Sequence, residues 1–181
     1  MSMWNDKLIA AGLEIVRPDV RPIAWVPEDR LERFGPIQTT QIQPASLDVR
    51  LGPEFIMHPD GTRVIPGPDG YFALMPGECV LGSLVEAVSI SSDVVARVEG
   101  KSTWARQFLT VHSAGFIDPG FTGDITLELK NDGKQDLVLV PGMMIAQLSF
   151  QWLAAPAQRP YGSEGLDSHY QYQKGPRESY A

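Results

Sequence analysis

Residues 124–130, with the sequence DITLELK, contain the pattern that decides the fold class. Apolar and polar residues alternate in this stretch, which is the period of a strand buried on one face. Glu128 therefore shares a face with Thr126. On both sides, from about residue 42 onward, the chain continues as short apolar runs separated by turn signals. The pattern predicts a mainly β protein.

The composition and the turn signals agree with this prediction. The 181 residues include 17 Gly and 15 Pro, more than the average usage of about 7% and 5%, which favours many turns and short strands over long helices. Asp60-Gly61 and Asp69-Gly70 are typical of β-hairpin turns. Residues 137–153 indicate two further strands, interrupted at Pro141-Gly142.

The chain has the length of one domain, which we predict over residues 1–181. Residues 1–41 comprise a short helix, predicted to end near Gly12, and an extension. Residues 42–155 form the β core. Residues 156–181 are rich in polar residues, Gly and Tyr, and are predicted to be a mobile tail or a lid that orders over a ligand.

The charge balance and the cysteine content exclude several classes of function. There are 15 Lys and Arg residues against 22 Asp and Glu residues, a net charge of −7, which argues against extended binding to nucleic acid. Cys79 is the single cysteine, so neither an internal disulfide nor a multi-cysteine metal site is expected. The sequence contains neither a membrane-spanning apolar stretch nor a signal peptide, and we expect the protein in the cytoplasm, away from membranes.

The segment GKSTWAR, residues 100–106, contains the densest cluster of cations and hydroxyls. These side chains suit a polyphosphate, because the cations supply charge-assisted hydrogen bonds and the hydroxyls supply further donors. The segment is not a P-loop, since that motif requires a second Gly five residues before Gly100, where Val95 stands. The alternative is a solvated turn between two strands. The four polar residues are Lys101, Ser102, Thr103 and Arg106.

A second cluster, within residues 115–131, is acidic. Asp118 begins an Asp-Pro-Gly turn, and Glu128 lies on the strand that follows. One acidic group could bind a hydroxyl or a metal-bound water while the other transfers protons, provided that burial raises its pKa toward neutrality. The alternative is a surface hairpin with a turn Asp and an exposed strand Glu.

The histidines do not predict a zinc site. His58, His112 and His169 are far apart in the sequence, and none has the HxE context of zinc-dependent nucleobase deaminases. The PCxxC partner motif of those enzymes is missing as well. No zinc is therefore expected.

Five motifs follow one another from about residue 42 to 176: IQPASLDVRLG (42–52), GKSTWAR (100–106), HSAGFIDPGFTGDITLELKN (112–131), PGMMIAQL (141–148) and RPYG…HYQYQKGP (159–176). Together, in order and spacing, they resemble the dCTP deaminase family. The resemblance implies the trimeric, dUTPase-like distorted jelly-roll or β-clip fold, with a short N-terminal helix and a C-terminal lid.

The resemblance implies deamination of dCTP without zinc, with a carboxylate that activates water. Glu128 matches that carboxylate, which removes a proton from the water attacking C4 and passes one to the leaving ammonia. Ser102 and Arg106 match family residues near the reacting group and the phosphates, where they orient and stabilise charge. Lys101 and Thr103 match the rest of the triphosphate-binding segment.

Further positions are assigned to substrate binding by the same resemblance. Asp118 matches the residue beside the deoxyribose, where a carboxylate accepts the 3′-OH. Thr126 and Gln147 are expected near the nucleotide. The lid positions that close over the phosphates are Tyr161, His169 and Gln173.

The resemblance also implies partners. Mg²⁺ is expected to arrive with the triphosphate of dCTP or dUTP rather than in a cage of protein side chains. The family is a homotrimer with active sites between subunits, and dTTP is a candidate inhibitor.

Two departures from the family pattern bear on activity. His169 replaces the usual Lys, so we expect phosphate binding to weaken above about pH 6.5, where a free imidazole loses its charge. The segment His112–Gly115 is one residue shorter than usual, which puts base selection in question.

Gly115 and Phe116 resemble the bifunctional group, which continues from dUTP to dUMP and diphosphate. Two alternatives stay open. One is a dUTP diphosphatase alone, and the other is a catalytically silent regulator that binds dCTP or dTTP.

Overall fold

Short strands make up most of the structure, a computed structural model that describes residues 2–14, 22–111 and 114–179. The helices are α1 (Asp6–Leu13), α2 (Glu28–Phe34) and α3 (Ser102–Ala105), with a 3₁₀ turn at Thr39–Gln41. The strands are β1 (Ala24–Trp25), β2 (Ile42–Gln43), β3 (Ser46–Arg50), β4 (Phe55–Met57), β5 (Arg63–Val64), β6 (Phe72–Leu74), β7 (Cys79–Ser89), β8 (Val94–Gly100), β9 (Leu109–Val111), β10 (Phe116–Ile117), β11 (Thr122–Asn131), β12 (Leu137–Leu139) and β13 (Met144–Trp152).

Two antiparallel sheets form the body of the fold. The larger has the order β5-β4-β7-β11-β9, with β1 also paired to β7, and the second has the order β10-β8-β13-β3-β2. Strands β12 and β6 form a separate pair. This architecture confirms the predicted mainly β class, including the two strands on either side of Pro141-Gly142.

Alternate residues of both sheets meet in one apolar core. On β11, Leu127 and Leu129 are buried while Thr126 and Glu128 are only half-buried, as the alternation predicts. Residues from the second sheet, among them Leu47 and Phe150, belong to the same cluster. The two sheets therefore present their polar faces away from the core, where a site can be built.

One local prediction needs correction. The Asp60-Gly61 turn joins the paired strands β4 and β5, as expected, but Asp69-Gly70 does not close a hairpin, because β6 pairs with β12 instead of β5. Helix α1 ends at Leu13, near Gly12 as predicted. Gly12 is buried, and a Cβ at this position would lie 2.9 Å from Ile23 Cδ1, so the missing side chain also permits close packing.

A buried ionic network joins the two sheets. Glu86 on β7 is fully buried, and its carboxylate accepts hydrogen bonds from Arg50 Nε on β3 at 2.7 Å and from the Gln41 side chain at 3.0 Å. The Arg50 Nη1 group also donates to the Phe34 carbonyl at the end of α2, at 2.5 Å. The network satisfies a buried charge and fixes α2 against both sheets at once.

None of the helices in the described ranges is long and apolar enough to cross a membrane.

We predict that Glu86→Gln destabilises the protein by about 3–5 kcal/mol, because the change leaves the Arg50 guanidinium buried without a counter-charge. Urea denaturation measures this difference. The control is Arg63→Met, which removes the pair between Arg63 and Glu54 on the surface and should change stability by about 0–1 kcal/mol. Equal losses in the two variants would contradict the role given to the buried network.

Candidate active site

The segment predicted to bind a polyphosphate, residues 100–106, forms one helical turn after the end of β8. Lys101 is the N-cap residue of α3, and Ser102, Thr103 and Arg106 are exposed. Trp104 packs against the core and donates its Nε1–H to the Met144 carbonyl at 2.8 Å. This anchor on β13 holds the helical turn in place, while its polar side chains face solvent.

A polar patch on the second sheet brings Lys101 and Gln147 together. Lys101 Nζ donates to Asp48 Oδ2 at 2.5 Å, and Asp48 on β3 is the register partner of Gln147 on β13. The Gln147 amide oxygen accepts from the Ser46 hydroxyl at 3.3 Å. Asp48 was missed by the sequence reasoning, although the polar positions 46, 48 and 50 alternate in SLDVR and could have indicated it.

The Asp118 turn faces the beginning of the C-terminal segment, which we define as residues 156–179. Gly120 has a φ of +93°, and its N–H donates to the Ile90 carbonyl. The Tyr161 N–H donates to the Pro119 carbonyl at 2.7 Å. This close approach requires Gly, since a Cβ at position 120 would lie 2.6 Å from Pro160 Cβ.

Asp118 and Tyr161 line one cavity of about 380 Å³. Its wall also contains Arg159 and Ser168, which the sequence reasoning did not single out. The Arg159 guanidinium donates to the Gly165 carbonyl at 3.0 Å, so the cation is held at the cavity by backbone. A carboxylate and a guanidinium that line the same cavity suit a polar ligand with both hydroxyl and anionic groups.

Glu128 and Thr126 lie on the polar face of β11, as predicted. The Thr126 hydroxyl oxygen accepts from the Gln173 side chain at 3.3 Å and from the Arg177 N–H at 3.1 Å. Gln173 is buried and also donates to the Asp124 carbonyl at 2.6 Å. The structure therefore brings two of the predicted substrate-binding residues, Thr126 and Gln173, into contact beside the proposed catalytic carboxylate.

The C-terminal segment runs along β11 by backbone hydrogen bonds. The Tyr172 N–H donates to the Thr122 carbonyl at 2.7 Å, and the Asp124 N–H donates to the Gln173 carbonyl at 3.0 Å. At Gly123 a Cβ would lie 3.0 Å from the Gln173 nitrogen, so the missing side chain permits this approach. The described residues around Tyr172 and Gln173 are therefore packed against β11.

Two further predicted residues, His169 and Phe116, lie at exposed positions. His169 is half exposed, with Nε2 3.3 Å from Asp167 Oδ2. Phe116, next to Gly115, is 51% exposed and stacks under the Arg97 guanidinium at 5.0 Å. His112 and Ser113, in the shortened hairpin, lie outside the described residues.

Lys130 carries a positive charge on the same strand face as Glu128. Its ammonium lies 2.5 Å from Asp132 Oδ1. The hydrogen bond to Asp132 raises the pKa of Lys130, and the hydrogen bonds from Lys130 and then Thr110 lower the pKa of Asp132. Both groups thus stay charged at neutral pH, and the ammonium is directed toward Asp132.

The predicted residues occupy different elements. Gln147 lies on β13 of the second sheet, and Thr126 and Glu128 lie on β11 of the larger sheet. The helical turn α3 with its two cap residues carries Lys101, Ser102, Thr103 and Arg106. Within the described residues there is no group of three or more His, Cys, Asp or Glu side chains placed to hold a metal ion.

The fold can be compared with those of solved proteins. The solved 2′-deoxycytidine 5′-triphosphate deaminase from Agrobacterium tumefaciens has a similar fold, with a TM-score of 0.61 and 19% identity over 83% of this chain. The match covers 47% of that structure, so the present chain spans about half of its length. The likeness confirms the predicted dUTPase-like class of β fold.

The sequence comparisons then show the family. A family model described as dCTP deaminase-like matches residues 26–153, and the chain belongs to this family. It is 46% identical to a protein of Beutenbergia cavernae, covering 81% of this chain and 84% of the relative, and 44% identical to one of Tropheryma whipplei, covering 84% and 86%. Both relatives are named "dCTP deaminase, dUMP-forming".

We predict that Gly120→Ala costs about 1–3 kcal/mol of stability, because the new Cβ would meet Pro160 in a backbone conformation that L residues rarely adopt. Urea denaturation measures the loss, and limited proteolysis reports whether residues 156–179 detach. Gly67→Ala is the matched control, since a Cβ there meets nothing within 4 Å. Unchanged stability and protection in Gly120→Ala would refute the packing described for the Asp118 turn.

Proposed function

We propose that the protein deaminates dCTP to dUTP and ammonia, and then hydrolyses dUTP to dUMP and diphosphate, as part of pyrimidine deoxynucleotide metabolism in the cytoplasm. Membership of the dCTP deaminase-like family and the names of the relatives support this proposal. The observation that carries it is the position of Glu128, half-buried on β11 next to the contact between Thr126 and Gln173.

The chemistry of the first step requires one group that both accepts and returns a proton. In this proposal Glu128 takes a proton from water as the water oxygen bonds to C4 of cytosine. The amino group then leaves C4 as ammonia, with the proton that Glu128 returns. The second proton of the water ends on N3 as the C4 carbonyl forms, and the ring becomes uracil. The half-buried position suits this cycle, because partial removal from water strengthens interactions with charge that develops in the transition state.

The triphosphate is assigned to Lys101, Ser102, Thr103 and Arg106. Three of these side chains are exposed on α3, and the Trp104 anchor fixes the backbone that carries them. Lys101 is held by Asp48, so its ammonium is oriented before the ligand arrives. Mg²⁺ enters as part of the Mg–nucleotide substrate, bound to phosphate oxygens.

The sugar and the base are assigned to the other clusters. Asp118 accepts the 3′-OH in the cavity shared with Tyr161. Within the described residues the Gln173 Oε1 and Asp48 Oδ1 atoms are buried without a hydrogen-bond partner. Because buried acceptors are normally satisfied, each is available to a donor on the substrate or to a bound water.

Assembly as a homotrimer would complete the site. The residues assigned to the triphosphate lie on and beside α3, between β8 and β9, whereas the carboxylate assigned to catalysis lies on β11. A neighbouring copy can present its α3 to Glu128, so that one site uses side chains of two subunits. This arrangement would also concentrate cations around one ligand although the chain carries a net charge of −7.

The second step is the attack of water on the α-phosphorus of dUTP, which breaks the bond to the β-phosphate and releases diphosphate. We assign bifunctionality to Gly115 and Phe116, at the edge strand β10. The ring of Phe116 is held under Arg97, which orients an exposed aromatic group that would otherwise be mobile.

We predict that Glu128→Gln lowers dCTP turnover by at least about a hundredfold while dCTP still binds, because the change keeps size and hydrogen bonding but removes the base. Ammonia release and anion-exchange separation of nucleotides measure turnover, and calorimetry measures binding. Glu32→Gln, at an exposed position of α2, is the control and should retain full activity.

The products of the unmodified protein test the rest of the proposal. Accumulation of dUMP from dCTP supports both steps, whereas dUTP alone contradicts the second. If dUMP forms only from added dUTP, the protein is a diphosphatase and the role of Glu128 is wrong. Binding of dCTP or dTTP without turnover would indicate a regulator.

A further inference from the structure

A β-bulge between β7 and β11 is filled by a side chain from the N-terminal part of the chain. The register moves from Asp124 opposite Ala87 to Thr126 opposite Ser83, so three residues of β7 oppose one residue of β11. Within the bulge, the carbonyl oxygens of Leu84 and Val85 both accept hydrogen bonds from Arg30 Nη1, at 3.0 Å. Arg30 on α2 therefore supplies the donor that strand pairing lacks here.

The second nitrogen of Arg30 reaches Asp124. The Arg30 Nη2 group pairs with Asp124 Oδ2, and the two side chains are 11% and 4% exposed. The same carboxylate oxygen accepts the Gly175 N–H at 2.6 Å. One buried carboxylate thus joins α2 to the C-terminal segment, across 94 residues of sequence on one side and 51 on the other.

This contact sits directly beside the proposed catalytic strand face. The Asp124 backbone pairs with Gln173, and two residues further along β11 the Thr126 hydroxyl contacts Gln173 and the Arg177 N–H. Thr126 shares its face with Glu128. The course of the C-terminal segment past Glu128 therefore depends on where Asp124 holds it.

We propose that Arg30 is a positioning residue for the reaction: by holding the Asp124 carboxylate in the bulge, it keeps residues 171–177 on β11 beside Glu128. The inference rests on the proposed function, which it deepens. Without the guanidinium, the buried Asp124 carboxylate lacks its counter-charge and must turn toward water or take up a proton. Turning away removes the acceptor that holds Gly175, and protonation leaves only a neutral and therefore weaker acceptor.

The kinetic consequence depends on the fraction of molecules in which residues 171–177 lie on β11, which we call the closed state. If Gln173 contributes to binding only when residues 171–177 lie on β11, the apparent Kd equals the intrinsic Kd divided by the closed fraction. Loss of a charge-assisted contact worth about 1.4–2.8 kcal/mol corresponds to about a 10- to 100-fold change in that equilibrium. Saturating substrate restores the closed state, so KM should rise while kcat changes little.

The test compares Arg30→Met with Arg33→Met in the full chain. Arg33 lies on the same helix, is exposed and donates to the Gly67 carbonyl, so it is matched in residue type and element. Hydrogen–deuterium exchange without nucleotide should show residues 172–177 exchanging at least about tenfold faster in Arg30→Met only. The KM for dCTP should rise in the same variant, by up to about 10- to 100-fold, with kcat within about threefold.

A milder variant covers the case in which Arg30→Met does not fold. Asp124→Asn keeps the shape of the side chain and an acceptor for the Gly175 N–H, but removes the charge. Faster exchange at residues 172–177, with residues 127–130 as protected as before, supports the proposal. Unchanged exchange at 172–177 in the folded variants, or an unchanged KM, overturns it.

The exchange and kinetic measurements distinguish a failure of this proposal from a failure of the proposed function. If the unmodified protein does not turn over dCTP, the proposed function fails. The positioning role in the reaction then fails with it, while the exchange experiment still decides whether Arg30 holds the C-terminal segment. If dCTP is turned over and only the KM shift is missing, the proposed function stands and the positioning role is overturned.

Discussion

A fully buried carboxylate, Glu86, sets the constraint on which the rest of the structure depends. Taking a charge out of water is tolerated only where donors surround it, and here Arg50 and Gln41 supply them from elements outside its own sheet. Because Arg50 also binds the end of α2, the two sheets and this helix have one mutual arrangement. This arrangement also fixes the relative positions of the polar faces that carry the proposed site.

The same strand, β7, anchors a second ionic contact with a different consequence. Where the pairing of β7 with β11 is interrupted, Arg30 satisfies the free carbonyl oxygens and reaches Asp124. The first ionic network holds the framework, whereas the second one ties a terminal segment to the edge of that framework. Terminal segments are the part of a domain that most readily opens, so a contact at this place can affect ligand binding without altering the core.

Much of the site could be predicted from local sequence, and the rest could not. The alternation in DITLELK placed Thr126 and Glu128 on one face, and the structure agrees. Asp48 was missed because a single strand residue gives no sign of its partner, here Lys101, 53 residues away. Helix α2 was missed as well, because its residues lack an apolar period. Its role depends on the contacts of Arg30 with β7 and β11 and of Arg50 with the end of the helix, and these partners are distant in the sequence.

The sequence by itself determined the mainly β class, the turn at Asp118, the family and the residues matched to its motifs, because these depend on period, on turn chemistry and on residue identity in order. Only the tertiary structure decided which side chains meet. Arg30 and Asp124 are 94 residues apart, and Arg50 and Glu86 are 36 apart. Periodicity defines a face but not what packs against it, so pairings across the fold follow from how the sheets close on their common core.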